Sequence, residues 1–188
     1  YQLSGGQSFF DKAEIKDGLS YIRLIANPDD DPAFLRAVTT PKRGVGDVTL
    51  GKLNQYARQN GYSLFQAASS MEALMELNPK NRESLQQFMS ILHDIQQRAE
   101  QEDAGELINN LLNTIGYETH LLNNEESKAG EIKWRNVQDL TGWLARKGKE
   151  DGKNIIEIAQ TIALMTLLEG KDENENDAVK MSTLHASK

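Results

Sequence analysis

Apolar residues recur every three or four positions through most of this chain, and that period belongs to helices. Residues 14–26 carry Ile15, Leu19, Ile22 and Ile25 on one face. Residues 81–100 repeat the pattern with Leu85, Phe88, Ile91, Leu92 and Ile95, and residues 128–146 with Val137, Leu140, Trp143 and Leu144. Residues 155–168 are apolar at the same spacing. Shorter helices are predicted at 34–38, 49–60, 63–68 and 104–115, with Gly61 and Gly116 as stops. The run Asn27-Pro28-Asp29-Asp30-Asp31-Pro32 breaks the first pattern, and Asn78-Pro79 marks another turn. Two pieces differ in character. Residues 1–10 read as a short strand or loop, and residues 178–185 alternate Val179, Met181 and Thr183 as a strand does. The expectation is a mainly α fold, an array of helices bracketed by two pieces of another unit.

The chain has 188 residues, of which 38% are hydrophobic, 6% aromatic and 26% charged. That is enough for one helical domain with a modest core. The formal net charge is −7, and the sequence pI is about 5.1. A broad basic surface for nucleic acid is therefore excluded, and any such contact must be local. Cysteine is absent, which removes disulfides and thiolate metal sites and is compatible with a reducing cytoplasm. No apolar run reaches membrane-spanning length, so no membrane partner is expected. Tyr1 is no natural start and no signal peptide is visible, so the chain reads as a piece of a longer protein.

One stretch carries chemistry: Thr40-Pro-Lys-Arg-Gly-Val-Gly-Asp-Val-Thr49. It reads as a helix ending and another beginning across Gly44-Val45-Gly46. Glycine permits a turn that other residues make only with strain, and Val45 can plug that turn into the core. The first amides of the next helix, near Asp47 to Thr49, have no acceptor inside it. Such amides attract an anion, and Lys42 and Arg43 stand beside them. A nucleic-acid backbone phosphate suits this arrangement without any base being read. A plain helix–helix joint with two solvated cations fits the same residues.

Other candidates are weaker. Gly5-Gly6 lacks the Lys-Ser/Thr that a phosphate-cradling loop requires, and no such loop occurs in the chain. ATP hydrolysis by this chain alone is therefore not expected. His93, His120 and His185 share no ligand spacing, so no metal site is expected. The acidic runs at 29–31, 100–103 and 172–177 lack a calcium loop's pattern and read as linkers and helix starts. Trp134 and Trp143, nine apart, read as core, with base stacking as the alternative. Lys128, Lys133, Arg135, Arg146, Lys147 and Lys149 make either a second backbone contact or a solvated face.

Four stretches in register carry a resemblance. They are Ser4-Gly5-Gly6-Gln7-Ser8-Phe9-Phe10 with Glu14-Ile15-Lys16-Asp17; Asn27-Pro28-Asp29-Asp30-Asp31 with Phe34-Leu35-Arg36; Thr40 to Gly46; and Ser182-Thr183-Leu184-His185-Ala186-Ser187-Lys188. The chain resembles, from end to end, the superfamily 1A ATP-dependent DNA helicases of the UvrD, Rep and PcrA group, nearest the bacterial Rep branch. The resemblance implies a helical 2B insertion at 28–170. It implies pieces of the RecA-like lobe 2A at 1–27 and 178–188, with a linker at 171–177. It makes Lys42, Arg43, Gly44, Val45, Gly46 and Thr49 the duplex-DNA contacts. Thr183, His185, Ser187 and Lys188 match the start of motif V and become single-strand contacts, together with Lys12. Lys12 stands where the family usually carries Arg, which keeps the charge but loses the planar fork. ATP and Mg²⁺ belong to the parent enzyme, not to this part, whose partners are DNA and the other lobes. A cytoplasmic, nucleoid-associated bacterial protein taking part in DNA replication is implied, with the breaks at 27–32 and 170–177 serving as a hinge. The competing reading is a helical protein-interaction module without DNA contact, which the net charge of −7 favours.

Overall fold

The computed structural model describes residues 9–124 and 127–164, and among these it contains helices and no strand. Helix α1 spans Ala13–Ala26, α2 Asp31–Thr39, α3 Asp47–Asn60, α4 Leu64–Ser69 and α5 Met71–Met75. Helices α6 (Pro79–Arg98), α7 (Ala104–Thr114), α8 (Tyr117–Asn124) and α9 (Ser127–Asp151) follow. A last helical stretch, α10, covers 155–164. The mainly α expectation holds. The expected strand or loop at 1–10 is corrected at its end, because residues 9 and 10 are helical. Residues 1–8 and the expected strand at 178–185 lie outside the described residues.

Local chemistry explains the boundaries. Asp30 caps α2 by accepting from the Ala33 N–H at 3.1 Å, with Pro32 in the first turn. Ser63 and Gln66 form a reciprocal capping box at the start of α4. Asn78 caps α6 with Pro79 at its first position, and Asp103 caps α7 through the Gly105 and Glu106 amides. Gly61 ends α3 in the left-handed conformation at φ 66°. Two helices, α5 and α8, have no counterpart in the apolar periodicity. The first has five residues and the second eight, too short to display a repeating stripe.

One continuous core runs from Phe9 to Ile162. Helix α9 packs on α7, α8 and α1; α1 also packs on α2 and α6; α4 sits among α2, α3, α5 and α6. Leu85, Phe88, Leu92, Ile95, Val137, Leu140 and Leu144 are buried as their spacing required, while Ile91 is partly buried against the core. Trp134 and Trp143 are half-buried on the core, and Trp143 meets Phe10 edge-on at 6.3 Å. That contact favours packing over a base platform.

The acidic break at 27–32 is not a loose linker. Asp29 accepts from Ser63 Oγ at 2.6 Å, and Asp31 accepts from the Leu64 N–H at 2.8 Å. Asp30 also pairs with Arg23 at 2.7 Å. The bonds from Asp29 and Asp31 join the α1–α2 turn to the start of α4, and the Asp30–Arg23 pair closes the turn itself. The partner break at 170–177 lies outside the described residues. No described helix is long and apolar enough to cross a membrane.

Candidate nucleic-acid interface

Helix α2 ends because Thr40 adopts an extended conformation before Pro41, a residue that cannot continue a helix. The Thr40–Pro41 peptide is cis. Gly44 then takes φ 81°, a left-handed backbone in which a side chain would be strained. Val45 turns inward and is 6% exposed, as its position between two glycines implied. Gly46 is extended at φ −109° and ψ −174°, which any residue adopts. Nothing lies within 4 Å of where a Cβ would stand, so neither backbone nor packing demands glycine here.

Helix α3 begins there without a side-chain cap, and its first intrahelical bond runs from the Leu50 N–H to the Gly46 carbonyl at 3.0 Å. The amides at 47–49 thus lack intrahelical acceptors and present the positive end of the helix dipole. Exposed Asp47 opposes that field, while exposed Lys42 adds to it.

The predicted duplex residues divide. Lys42, Gly44 and Gly46 are exposed. Thr49 is 3% exposed, and its hydroxyl accepts from Asn81 Nδ2 at 2.6 Å. It joins α3 to α6 and does not face solvent. Arg43 is half-buried. Its Nη2 donates to the Tyr21 hydroxyl at 2.6 Å and its Nε to the Pro41 carbonyl at 3.2 Å. The guanidinium also lies 4.8 Å from the Phe88 ring centre. Tyr21, Phe88 and Asn81 therefore support the turn; Phe88 was legible only as a core residue of its helix, and Tyr21 and Asn81 did not stand out in the sequence. Tyr21 sits among the apolar residues of α1, so its hydroxyl gave no separate signal.

Lys12 is engaged elsewhere. Its Nζ donates to Asn136 Oδ1 at 3.0 Å and stands 5.5 Å from the Phe9 ring centre. Asn136 in turn donates to Glu14 Oε1 at 2.7 Å. The nearby Tyr117 hydroxyl donates to Asp17 Oδ2 at 2.9 Å, and Arg36 Nε donates to Asp17 Oδ1 at 2.7 Å. This network ties α1 to α2, α8 and α9. Thr183, His185, Ser187 and Lys188 lie outside the described residues. Among those described, no cluster of His, Asp or Glu is placed to hold a metal ion.

Burial pushes the Tyr21 hydroxyl up to about 12, and burial followed by the charge of Asp17 raises Tyr117 as well. Both folded values exceed the unfolded one near 10, so the folded chain holds these protons longer. Stability should therefore be flat through neutral pH and fall as pH climbs from about 10 towards 12. Urea midpoints measured along that range check this, and Tyr21→Phe should shallow the decline.

The UvrD-like helicase C-terminal domain model matches residues 1–188. The chain belongs to this family. It is 40% identical over 194 residues to the ATP-dependent DNA helicase Rep of Salmonella typhimurium, covering all of this chain and 29% of that protein. It is 31% identical to the ATP-dependent DNA helicase PcrA of Bacillus subtilis and 31% identical to DNA helicase II of Escherichia coli, covering 26% of each. The chain thus spans less than a third of these helicases.

Proposed function

We propose that this UvrD-like chain is the helical 2B subdomain, with flanking 2A pieces, of a Rep-like 3′-to-5′ ATP-dependent DNA helicase acting in DNA replication. Residues 28–170 form the 2B unit, with α1 as its seam to the motor lobe. Residues 171–177 are a linker, and 178–188 return to lobe 2A with the single-strand contacts Thr183, His185, Ser187 and Lys188. ATP with Mg²⁺ drives the parent enzyme through the other lobes. The part played by this chain is to hold duplex phosphates ahead of the motor without reading sequence. One observation carries this: exposed Lys42 shortly precedes, across the left-handed turn at Gly44, a start of α3 that has no side-chain cap. Such a grip is local, as a chain of net charge −7 requires.

A second reading has its own support. Val48 is 78% exposed and Met71 and Met75 are each 62% exposed, apolar side chains that a protein partner could cover. Fluorescence anisotropy of a labelled duplex, titrated with this chain at low salt, separates the two. Duplex binding should weaken steeply with salt, because counterions are released on association. Lys42→Ala should lower affinity several-fold at one salt concentration. Binding that ignores both salt and the Lys42 charge would leave the protein-binding face as the better account.

A further inference from the structure

We infer that Arg43 is a positioning residue that sets the turn, and that Lys42 is the cation that meets phosphate. This rests on the duplex-phosphate reading above. The two residues are adjacent and equally charged, yet the fold treats them differently. Lys42 is exposed, whereas the Arg43 guanidinium is drawn inward against the Phe88 ring. Its Nη2 donates to the Tyr21 hydroxyl and, at 3.4 Å, to the Thr40 carbonyl, while its Nε donates to the Pro41 carbonyl. The Tyr21 oxygen also lies 2.9 Å from the Ala37 carbonyl and 2.7 Å from that of Thr40, so its single proton serves one of them.

Arg43 thereby ties the Thr40 and Pro41 carbonyls, just past the end of α2, to Tyr21 and Phe88 in the core. Carbonyls at a helix end favour a cation, and a planar fork reaches several at once where an ammonium cannot. Tyr21 is 1% exposed and Phe88 fully buried, so neither can touch DNA. Any influence of Tyr21 on duplex binding must be indirect, through Arg43 or through the Ala37 and Thr40 carbonyls at the end of α2.

The test is duplex anisotropy over a salt series. It compares the wild-type chain with Lys42→Ala, Arg43→Ala, Arg43→Lys, Tyr21→Phe and the Tyr21→Phe/Arg43→Ala double variant. Cooperative melting is checked for each. Lys42→Ala should weaken binding and reduce the log–log salt slope by about 0.9, the value for one phosphate contact. Tyr21→Phe and Arg43→Ala should weaken binding several-fold with the slope unchanged. Arg43→Lys should be as weak as Arg43→Ala, and the double variant no weaker than Arg43→Ala alone. In the folded Tyr21→Phe chain, the Gly44 and Gly46 amide resonances should shift while those of Gly116 and Gly148 stay. A uniform loss of stability would not produce that pattern.

Wild-type affinity in Tyr21→Phe would overturn the inference while Lys42→Ala upheld the duplex reading. So would wild-type affinity in Arg43→Lys with a slope reduced by about 0.9 in Arg43→Ala, which would make Arg43 itself a phosphate contact. A wild-type chain without salt-dependent binding would remove both readings together. If Tyr21→Phe does not fold, the Arg43→Lys arm decides.

Discussion

Phe88→Ala is expected to destabilise the chain by about 3–5 kcal/mol, the upper range for truncating a buried side chain. Phe88 is fully buried on α6 and meets Phe34 edge-on at 5.5 Å and Tyr21 at 6.3 Å. It touches three elements at once: α1 through Tyr21, α2 through Phe34, and the turn through Arg43. Removing the ring leaves a cavity that backbone held by capped helices cannot close fully. It also strips the guanidinium of its apolar floor, so the turn should loosen even in molecules that remain folded. For a chain of this length about 1 kcal/mol corresponds to roughly 2–4 °C, so the melting midpoint should fall by more than about 6 °C. Phe88→Leu, which retains most of the volume, should lose much less. Equal melting of the Ala and Leu variants would mean that the aromatic cluster does not organise this part of the core.

Gly105→Ala is the second large effect, and its sign runs against helix propensity. In an exposed helix, replacing Gly with Ala gains about 1 kcal/mol. Gly105, however, lies where α7 crosses α9, and an added Cβ would collide with the Ala145 Cβ and come within 3.0 Å of the Ala145 Cα. One obstacle is backbone and the other a methyl attached directly to it, so no rotamer change relieves the clash. The helices must separate, and α7 buries Leu107, Ile108, Leu111 and Leu112 beside that crossing. Overpacking of this kind costs typically about 1–3 kcal/mol, which outweighs the propensity gain. Gly148 differs, since a Cβ there would stand 3.5 Å from the Ala104 Cβ, an ordinary contact, and 3.2 Å from the Lys153 carbonyl oxygen. Thermal melts should place Gly105→Ala below wild type. In an Ala145→Gly background the same change should do less harm, which a double-mutant cycle measures directly. An unchanged or raised midpoint for Gly105→Ala would show that this crossing has slack.

The helix assignment was legible wherever a long helix buries one face. In α6 the order Leu85, Phe88, Leu92, Ile95 is at once a sequence pattern and a set of buried residues. Stops were legible too, because Gly61 and Gly116 adopt the left-handed backbone that Gly alone enters cheaply. Helices α5 and α8 were not, since a helix of one or two turns shows too few apolar positions for a period to emerge. The acidic run at 29–31 was legible as a helix start, which Asp30 caps, but its longer-range partners were not. Three carboxylates look solvated along the chain, and only the fold brings Ser63, Leu64 and Arg23 within reach of them.

For the candidate interface, the sequence by itself determined the turn. The left-handed Gly44 and the buried Val45 follow from residue type, because conformational freedom and apolar character are properties a residue carries anywhere. It also determined the family, through four stretches in register. Only the tertiary structure decided which cation faces outward and which faces in. Lys42 and Arg43 are neighbours of equal charge, and they are told apart by Tyr21, 22 residues from Arg43, and by Phe88, further along the chain on another helix. The partners of Thr49 and Lys12 were hidden for the same reason, since they meet Asn81 and Asn136 across long separations. Hydrogen-bond partners of this kind are set by how helices pack, and no local pattern of residues encodes them.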